Sequence, residues 1–271
     1  MTLADILSVE AVGDDHWRAW TPPGSMRPDI YGGQVAGQAL LAASQTVDPA
    51  YLANSVHCSF LRRGRPTLPL DIHVERTRAG RTYSNRRIEV RQDDNVIFAM
   101  LASFHVDEPG REFDHPMPSG VPDPDDLPAP AEARLWDPAL EMRSPPVASP
   151  MIQWWARVTG EFPADPTMHL AAALYASDLR AGSAAMNAVG IPAFGEAELG
   201  DDRPTSGNFG SLDHALWFHR IPKVDEWFFC DVRPLTVRDS RGLVLGTMFD
   251  RGGNHIATFT QEMFLKIDES T

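Results

Sequence analysis

The order of local sequence signals runs through this chain twice. In the first half, Gly33-Gln-Val-Ala-Gly-Gln-Ala-Leu-Leu-Ala-Ala-Ser-Gln-Thr-Val places Val35, Ala39, Ala42 and Ala43 on one side of a helix, a small-residue face suited to close packing on a sheet. Strand-like runs follow at 55–61, 70–78, 81–91 and 96–105, with turn signals at Arg63-Gly64, Ala79-Gly80 and Gln92-Asp-Asp-Asn95. A short helix at 2–7 and strand-like pieces at 8–12 and 16–20 precede them. The second half repeats the order, with strands at 140–143 and 152–159, a helical stretch over 170–189, and strands at 211–219, 227–237, 242–249 and 255–265. Tyr31-Gly-Gly-Gln34 aligns with Tyr175-Ala-Ser-Asp178, Ser55-Val-His with Ser211-Leu-Asp, and Asn95-Val-Ile with Asn254-His-Ile. Internal duplication is the simplest account. It predicts an α+β fold of two tandem units, each an antiparallel sheet wrapped around a central helix. The units run over 1–106 and 139–271, joined at 107–138 by a segment rich in Pro and acidic residues, such as Val121-Pro-Asp-Pro-Asp-Asp-Leu-Pro.

At 271 residues each unit can bury its own core, so a disulfide framework is unnecessary. The two cysteines, Cys58 and Cys230, lie in apolar strand-like runs and are expected as buried free thiols in a reducing compartment. No basic segment leads into an apolar stretch at the N-terminus, and no run of 18 apolar residues occurs, so a cytoplasmic protein without membrane insertion is expected. A net charge of -13 repels a phosphate backbone and argues against a nucleic-acid partner. Of 24 basic side chains only Lys223 and Lys266 are lysines, so arginine at any one position is weak evidence of phosphate binding.

The motifs in order resemble the acyl-CoA thioesterase II family over nearly the whole chain. In the first half the resemblance rests on Tyr31-Gly-Gly-Gln-Val-Ala-Gly-Gln-Ala-Leu40, Val56-His-Cys-Ser-Phe-Leu-Arg62 and Arg81-Thr-Tyr-Ser-Asn-Arg-Arg87. In the second it rests on Tyr175-Ala-Ser-Asp-Leu179, Ser211-Leu-Asp-His-Ala-Leu-Trp-Phe-His-Arg220 and Thr258-Phe-Thr-Gln-Glu262. It implies a double hot-dog fold and hydrolysis of medium- to long-chain acyl-CoA to fatty acid and CoA, with CoA part of the substrate and no separate cofactor. It also implies a water-activating set of Asp178, Ser211 and Gln261. The family pattern commonly has threonine at position 211; serine keeps the hydroxyl and loses the methyl that helps fix its rotamer.

Thioester hydrolysis needs a held water, a base and donors aimed at the developing oxyanion. Asp178 is expected where a loop enters a helix, where amides would favour its charge and burial would oppose it. Gln261 can donate and accept, so it could orient the water while Ser211 completes the coordination. Gly32 and Gly33, at the start of the other helix, suit either an oxyanion site or close helix packing. The first-half counterparts of Asp178 and Gln261 are Gln34 and, approximately, Ala102, so one active site per chain is expected. By itself, Ser-Asp before an apolar stretch reads as a helix cap, and Gln261 and Ser211 as ordinary strand residues.

His57, His214, His219 and the adjacent Asp213 read as packing or hydrogen-bonding groups, because no Gly-x-Ser-x-Gly elbow accompanies them. His105, Asp107, Asp114 and His115 lack a ligand spacing, so a solvated linker is expected there and no metal. Arg62, Arg63 and Arg65, at a strand end, are candidate contacts for CoA phosphates. Of the adjacent Trp154 and Trp155, at most one can face an acyl tunnel, because strand neighbours point to opposite faces. Exposed sheet edges and a broad face lead to an expected homo-oligomer, dimer or tetramer. Two rival functions stay open: a catalytically weak acyl-CoA-binding protein and an enoyl-CoA hydratase.

Overall fold

A computed structural model describes residues 1–23, 28–128, 139–191 and 207–267. Short helix α1 (Leu3–Leu7) is closed by a capping box in which the Thr2 side chain accepts from the Asp5 amide and Asp5 accepts from the Thr2 amide. β1 (Glu10–Gly13) and β2 (His16–Ala19) lead to the central helix α2 (Gly32–Ser44), then to β3 (Tyr51–Phe60), β4 (Leu70–Ala79), β5 (Tyr83–Gln92) and β6 (Asn95–Val106). The second half has β7 (Leu140–Arg143), β8 (Ile152–Val158), α3 (Pro166–Ser177), α4 (Ala181–Ala188), β9 (Gly207–Ser211), β10 (Asp213–Phe218), β11 (Phe228–Arg238), β12 (Arg241–Asp250) and β13 (His255–Ile267). The elements follow the order expected from the sequence, with two differences: the strand expected at 211–219 is divided, Ser211 ending β9 and Asp213 beginning β10, and the helical stretch over 170–189 is two helices, broken at 178–180.

The strands of the described residues join one 13-stranded antiparallel sheet, ordered β1-β2-β4-β5-β6-β3-β10-β13-β12-β11-β8-β7, with β9 pairing β13 off that path. The halves meet in the middle, where Asp213 pairs with Ser59, His214 with Cys58 and Ala215 with His57. The strands flanking this seam mirror one another, as duplication requires. Period-two alternation decides which side chains enter the core. On β10, His214, Leu216 and Phe218 point inward while Asp213 and Trp217 point out; on β13, Phe259, Gln261, Met263 and Leu265 point inward.

α2 and α3 lie against each other inside the curved sheet. Nearly all of α2 is buried, from Gly33 to Ala43, rather than one stripe of it. Close approach explains its small residues: a Cβ on Gly33 would lie 2.5 Å from the Tyr175 carbonyl oxygen, and one on Gly37 would lie 3.1 Å from that of Ala171. The Tyr31 hydroxyl donates to the Tyr175 carbonyl at 2.7 Å, fixing the start of α2 to the end of α3.

The connector is exposed over 107–113, as expected of a solvated linker, but its later part packs on the sheet. Met117, Val121 and Leu127 pack on the outer face of the second-half sheet, against Trp155, Trp227, Phe229 and Phe249. The Trp155 indole donates to the Pro122 carbonyl at 3.0 Å, Arg220 binds Asp114 at 2.7 Å, and Arg251 binds Asp123 and Asp125 at 2.6 Å each. Apolar side chains at wide, irregular spacing carry this strap, and sequence periodicity cannot detect them. Residues 129–138 of the connector lie outside the described residues. Trp154 and Trp155 do point to opposite faces, Trp154 into the main core and Trp155 under the strap. Neither lines the cleft described below.

Candidate active site

Asp178 sits at the C-terminal end of α3, not at the start of a helix as its sequence context suggested. The reversal has a local cause. The Ser177 hydroxyl bonds back to the Leu174 carbonyl at 2.9 Å and the Leu179 amide to that of Ala176 at 3.2 Å, which tightens the last turn and ends α3 before α4 begins. The break carries the Asp178 carboxylate against the N-terminus of α2 in the other half. A Cβ built on Gly32 would lie 2.8 Å from Asp178 Oδ2. Asp178 is half-buried.

Three chain segments meet at Asp178. Gln261, on the inward side of β13, donates through Nε2 to Asp178 Oδ1 at 2.9 Å and to Ser211 Oγ at 2.6 Å. Ser211 closes β9, which places its hydroxyl opposite Met263 on the same sheet. The structure therefore brings together Asp178, Ser211 and Gln261. Both hydrogens of the Gln261 amide nitrogen are used within the set, so this amide ties the acid to the hydroxyl rather than holding a water itself.

The network continues inward. Gln261 Oε1 lies 3.0 Å from His214 Nδ1, and His214 Nε2 lies 2.8 Å from Ser177 Oγ. His214 is 1% exposed and its ring stacks on Phe259. Burial pushes its pKa down to about 4, against a smaller opposing effect of the Gln261 hydrogen bond, so the ring is neutral near pH 7. The sequence marked His214 as a packing or hydrogen-bonding group, which it is, and did not single out Ser177. The inward parity of His214 on a strand shared with the quoted Ser211 motif is the signal that points to its place in the network. Asp213 points away and accepts the Glu262 amide at 2.9 Å, so no Ser-His-Asp triad forms. Ser177 is fully buried and cannot reach substrate.

The pseudo-equivalent position of the first half has lost this chemistry. Val56 pairs with Ala102 across β3 and β6, both buried. Gln34 donates to Thr21 Oγ1 at 3.1 Å, a structural bond.

Beside the three-residue set opens a cleft of about 330 Å³, lined by Gly32, Val35, Phe60, Ile97, Phe98, Phe264 and Ser211, with Arg62 and Arg63 at its exposed rim. Arg62 bonds the Val96 carbonyl at 2.6 Å and Arg63 pairs with Asp29; Arg65, off the cleft, pairs with Asp93. The two glycines part company: Gly32 faces the cleft, whereas Gly33 is buried against the Tyr175 carbonyl and the Tyr31 ring. Gly32 and Gly33 open α2, so geometry leaves their amides without intrahelical acceptors.

Cys58 and Cys230 are free and buried, and burial raises both thiols well above their usual range. Among the described residues no group of three or more His, Cys, Asp or Glu is placed to hold a metal ion. No helix among them is long and apolar enough to cross a membrane.

The fold is a two-unit hot-dog sheet with an acidic, amide-tied cluster beside an apolar cleft, and comparison with known proteins places it among the acyl-CoA thioesterases. The model of the acyl-CoA thioesterase N-terminal domain matches residues 20–105, and that of the C-terminal domain matches residues 112–265. Acyl-coenzyme A thioesterase 8 of Mus musculus is 31% identical over 98% of this chain and 89% of its own length. Acyl-CoA thioesterase 2 of Haemophilus influenzae is 28% identical over 98% of each chain. Among solved structures, the acyl-CoA thioesterase II TesB2 of Mycobacterium marinum superposes with a TM-score of 0.83 at 32% identity, covering all of both chains. The chain belongs to the acyl-CoA thioesterase II family of double hot-dog thioester hydrolases.

Proposed function

We propose that this protein hydrolyses medium- to long-chain acyl-CoA by a water activated at Asp178. The observation that carries the reading is the Gln261 amide, which ties Asp178 Oδ1 to Ser211 Oγ beside the apolar cleft. In this account Asp178 takes a proton from a water that Ser211 helps to hold, and the resulting hydroxide attacks the thioester carbonyl. The tetrahedral oxyanion is stabilised by the N-terminus of α2 at Gly32, where amide hydrogens lack helical acceptors. Collapse breaks the C–S bond, and the proton held by Asp178 passes to the departing CoA sulfur, giving one carboxylic acid and one thiol. Gln261 acts as a positioning residue.

The apolar lining from Val35, Phe60, Ile97, Phe98 and Phe264 supports an acyl chain in the cleft, and the rim arginines support a phosphorylated head group outside it. Single turnover in ¹⁸O-labelled water tests the chemistry. Direct attack by water puts the label into the fatty acid on the first turnover and leaves Asp178 unlabelled. Label in an Asp178-containing peptide, with unlabelled acid released, would mean that the carboxylate itself attacks the thioester.

A further inference from the structure

An amide side chain can bridge a carboxylate and a hydroxyl only in one of its two flip states. If Gln261 were turned over, Oε1 would face the Asp178 carboxylate, and an acceptor would meet an acceptor where Nε2 now lies 2.9 Å from Oδ1. The Asp178 carboxylate opposes the flip from one side, and a donor to Oε1 would oppose it from the other. The only group recorded against Gln261 Oε1 among the described residues is His214 Nδ1, at 3.0 Å.

We propose that His214 is a positioning residue of the active site: it donates from Nδ1–H to Gln261 Oε1 and so holds the amide with its nitrogen toward Asp178 and Ser211. This rests on the Asp178-centred reading of the function above and adds to it the origin of the site's orientation. The tautomer follows from the partners. Gln261 Oε1 is an acceptor only, so Nδ1 carries the hydrogen; Nε2 of the neutral ring then accepts, at 2.8 Å, the single Ser177 hydrogen, which it shares with the Leu174 carbonyl 2.9 Å away. Protonation of the ring would leave the Nδ1–H in place. The amide is thus held in either charge state, and the pH profile of turnover does not carry an ionisation of His214. Burial makes the contact selective: Gln261 is 2% exposed and His214 is 1% exposed, so water is poorly placed to replace the lost donor. The first half offers the internal contrast, since Val56 and Ala102, paired across β3 and β6, carry no hydrogen-bonding side chain.

The test compares two substitutions. His214→Asn keeps a donor near the Nδ1 position, whereas His214→Phe keeps the ring stack on Phe259 and removes the donor. His214→Phe is expected to lower kcat by about 10- to 100-fold with KM nearly unchanged, and His214→Asn to recover most of that loss. In a Gln261→Ala background His214→Phe is expected to cost nothing further, because its effect passes through the missing amide. Additive losses, or full kcat in the folded His214→Phe protein, would overturn the proposal. A measurement on the unaltered protein guards against variants that misfold: ¹⁵N-edited NMR of the histidine rings is expected to show His214 with hydrogen on Nδ1, and hydrogen on Nε2 alone would overturn it. The underlying reading fails separately. In that case Asp178→Asn retains turnover, whereas failure of the His214 proposal alone leaves Asp178→Asn inactive and His214→Phe active or additive.

Discussion

Gly32 and Asp178 come from opposite halves of the duplicated chain, yet a single added methyl at Gly32 would stand 2.8 Å from the carboxylate oxygen Oδ2 and 2.8 Å from the Phe60 ring. The acid of one unit is seated on the helix terminus of the other, and the first half lines most of the cleft beside it. Gly32→Ala is expected to displace the carboxylate and lower kcat by about 10- to 100-fold with little change in fold. Gly33→Ala meets backbone instead, 2.5 Å from the Tyr175 carbonyl, and is expected to cost about 1–3 kcal/mol of stability. Steady-state kinetics and thermal melts on both variants check the division; equal melting loss and unaltered kcat for Gly32→Ala would contradict it.

Arg62 and Arg63 at the cleft rim give a second expectation. If they meet CoA phosphates, reversing either to Glu raises the acyl-CoA KM by roughly 3- to 10-fold at low salt, and the effect shrinks as ionic strength rises. A truncated thioester lacking the nucleotide serves as control, and its kcat/KM should not move. An equal loss on both substrates would place the arginines' effect in the fold.

Acid stability follows from His214. Its folded pKa of about 4 lies below the ordinary 6.5, so between those values the unfolded chain binds more protons. The contribution is fully present above pH 6.5 and is lost as pH falls toward 4, amounting to about 3 kcal/mol. Urea midpoints at pH 7 and pH 4.5 are expected to differ less for His214→Asn than for the unaltered chain. The same acid-side drop in both would contradict the assignment.

The strap over the outer sheet face makes a fourth expectation. Trp155 is 2% exposed between Phe229 and the connector, so Trp155→Ala is expected to cost about 3–5 kcal/mol. Because the cleft lies elsewhere, activity at low temperature should persist. Denaturant unfolding and thiol-release assays read the two effects separately.

The sequence carried the architecture because alternation and helical spacing are local signals: β4 shows its inward Leu70, Ile72 and Val74 directly. Motif resemblance singled out Asp178, Ser211 and Gln261, which the structure brings together. The sequence did not carry the geometry at Asp178. Ser-Asp before an apolar run has the chemistry of a helix start, and only the back-bonded Ser177 turn makes it a helix end. Nor did it carry His214, whose role depends on Ser177 and Gln261, residues distant in sequence that meet only when α3, β10 and β13 are assembled.

The most direct measurement is free-thiol release from short-, medium- and long-chain acyl-CoA by the unaltered protein and by a folded Asp178→Asn variant. The account expects turnover that peaks with medium to long chains and falls by at least about 100-fold in the variant. Undiminished turnover by Asp178→Asn would contradict it, and binding without turnover by the unaltered protein would make the chain an acyl-CoA carrier rather than a hydrolase.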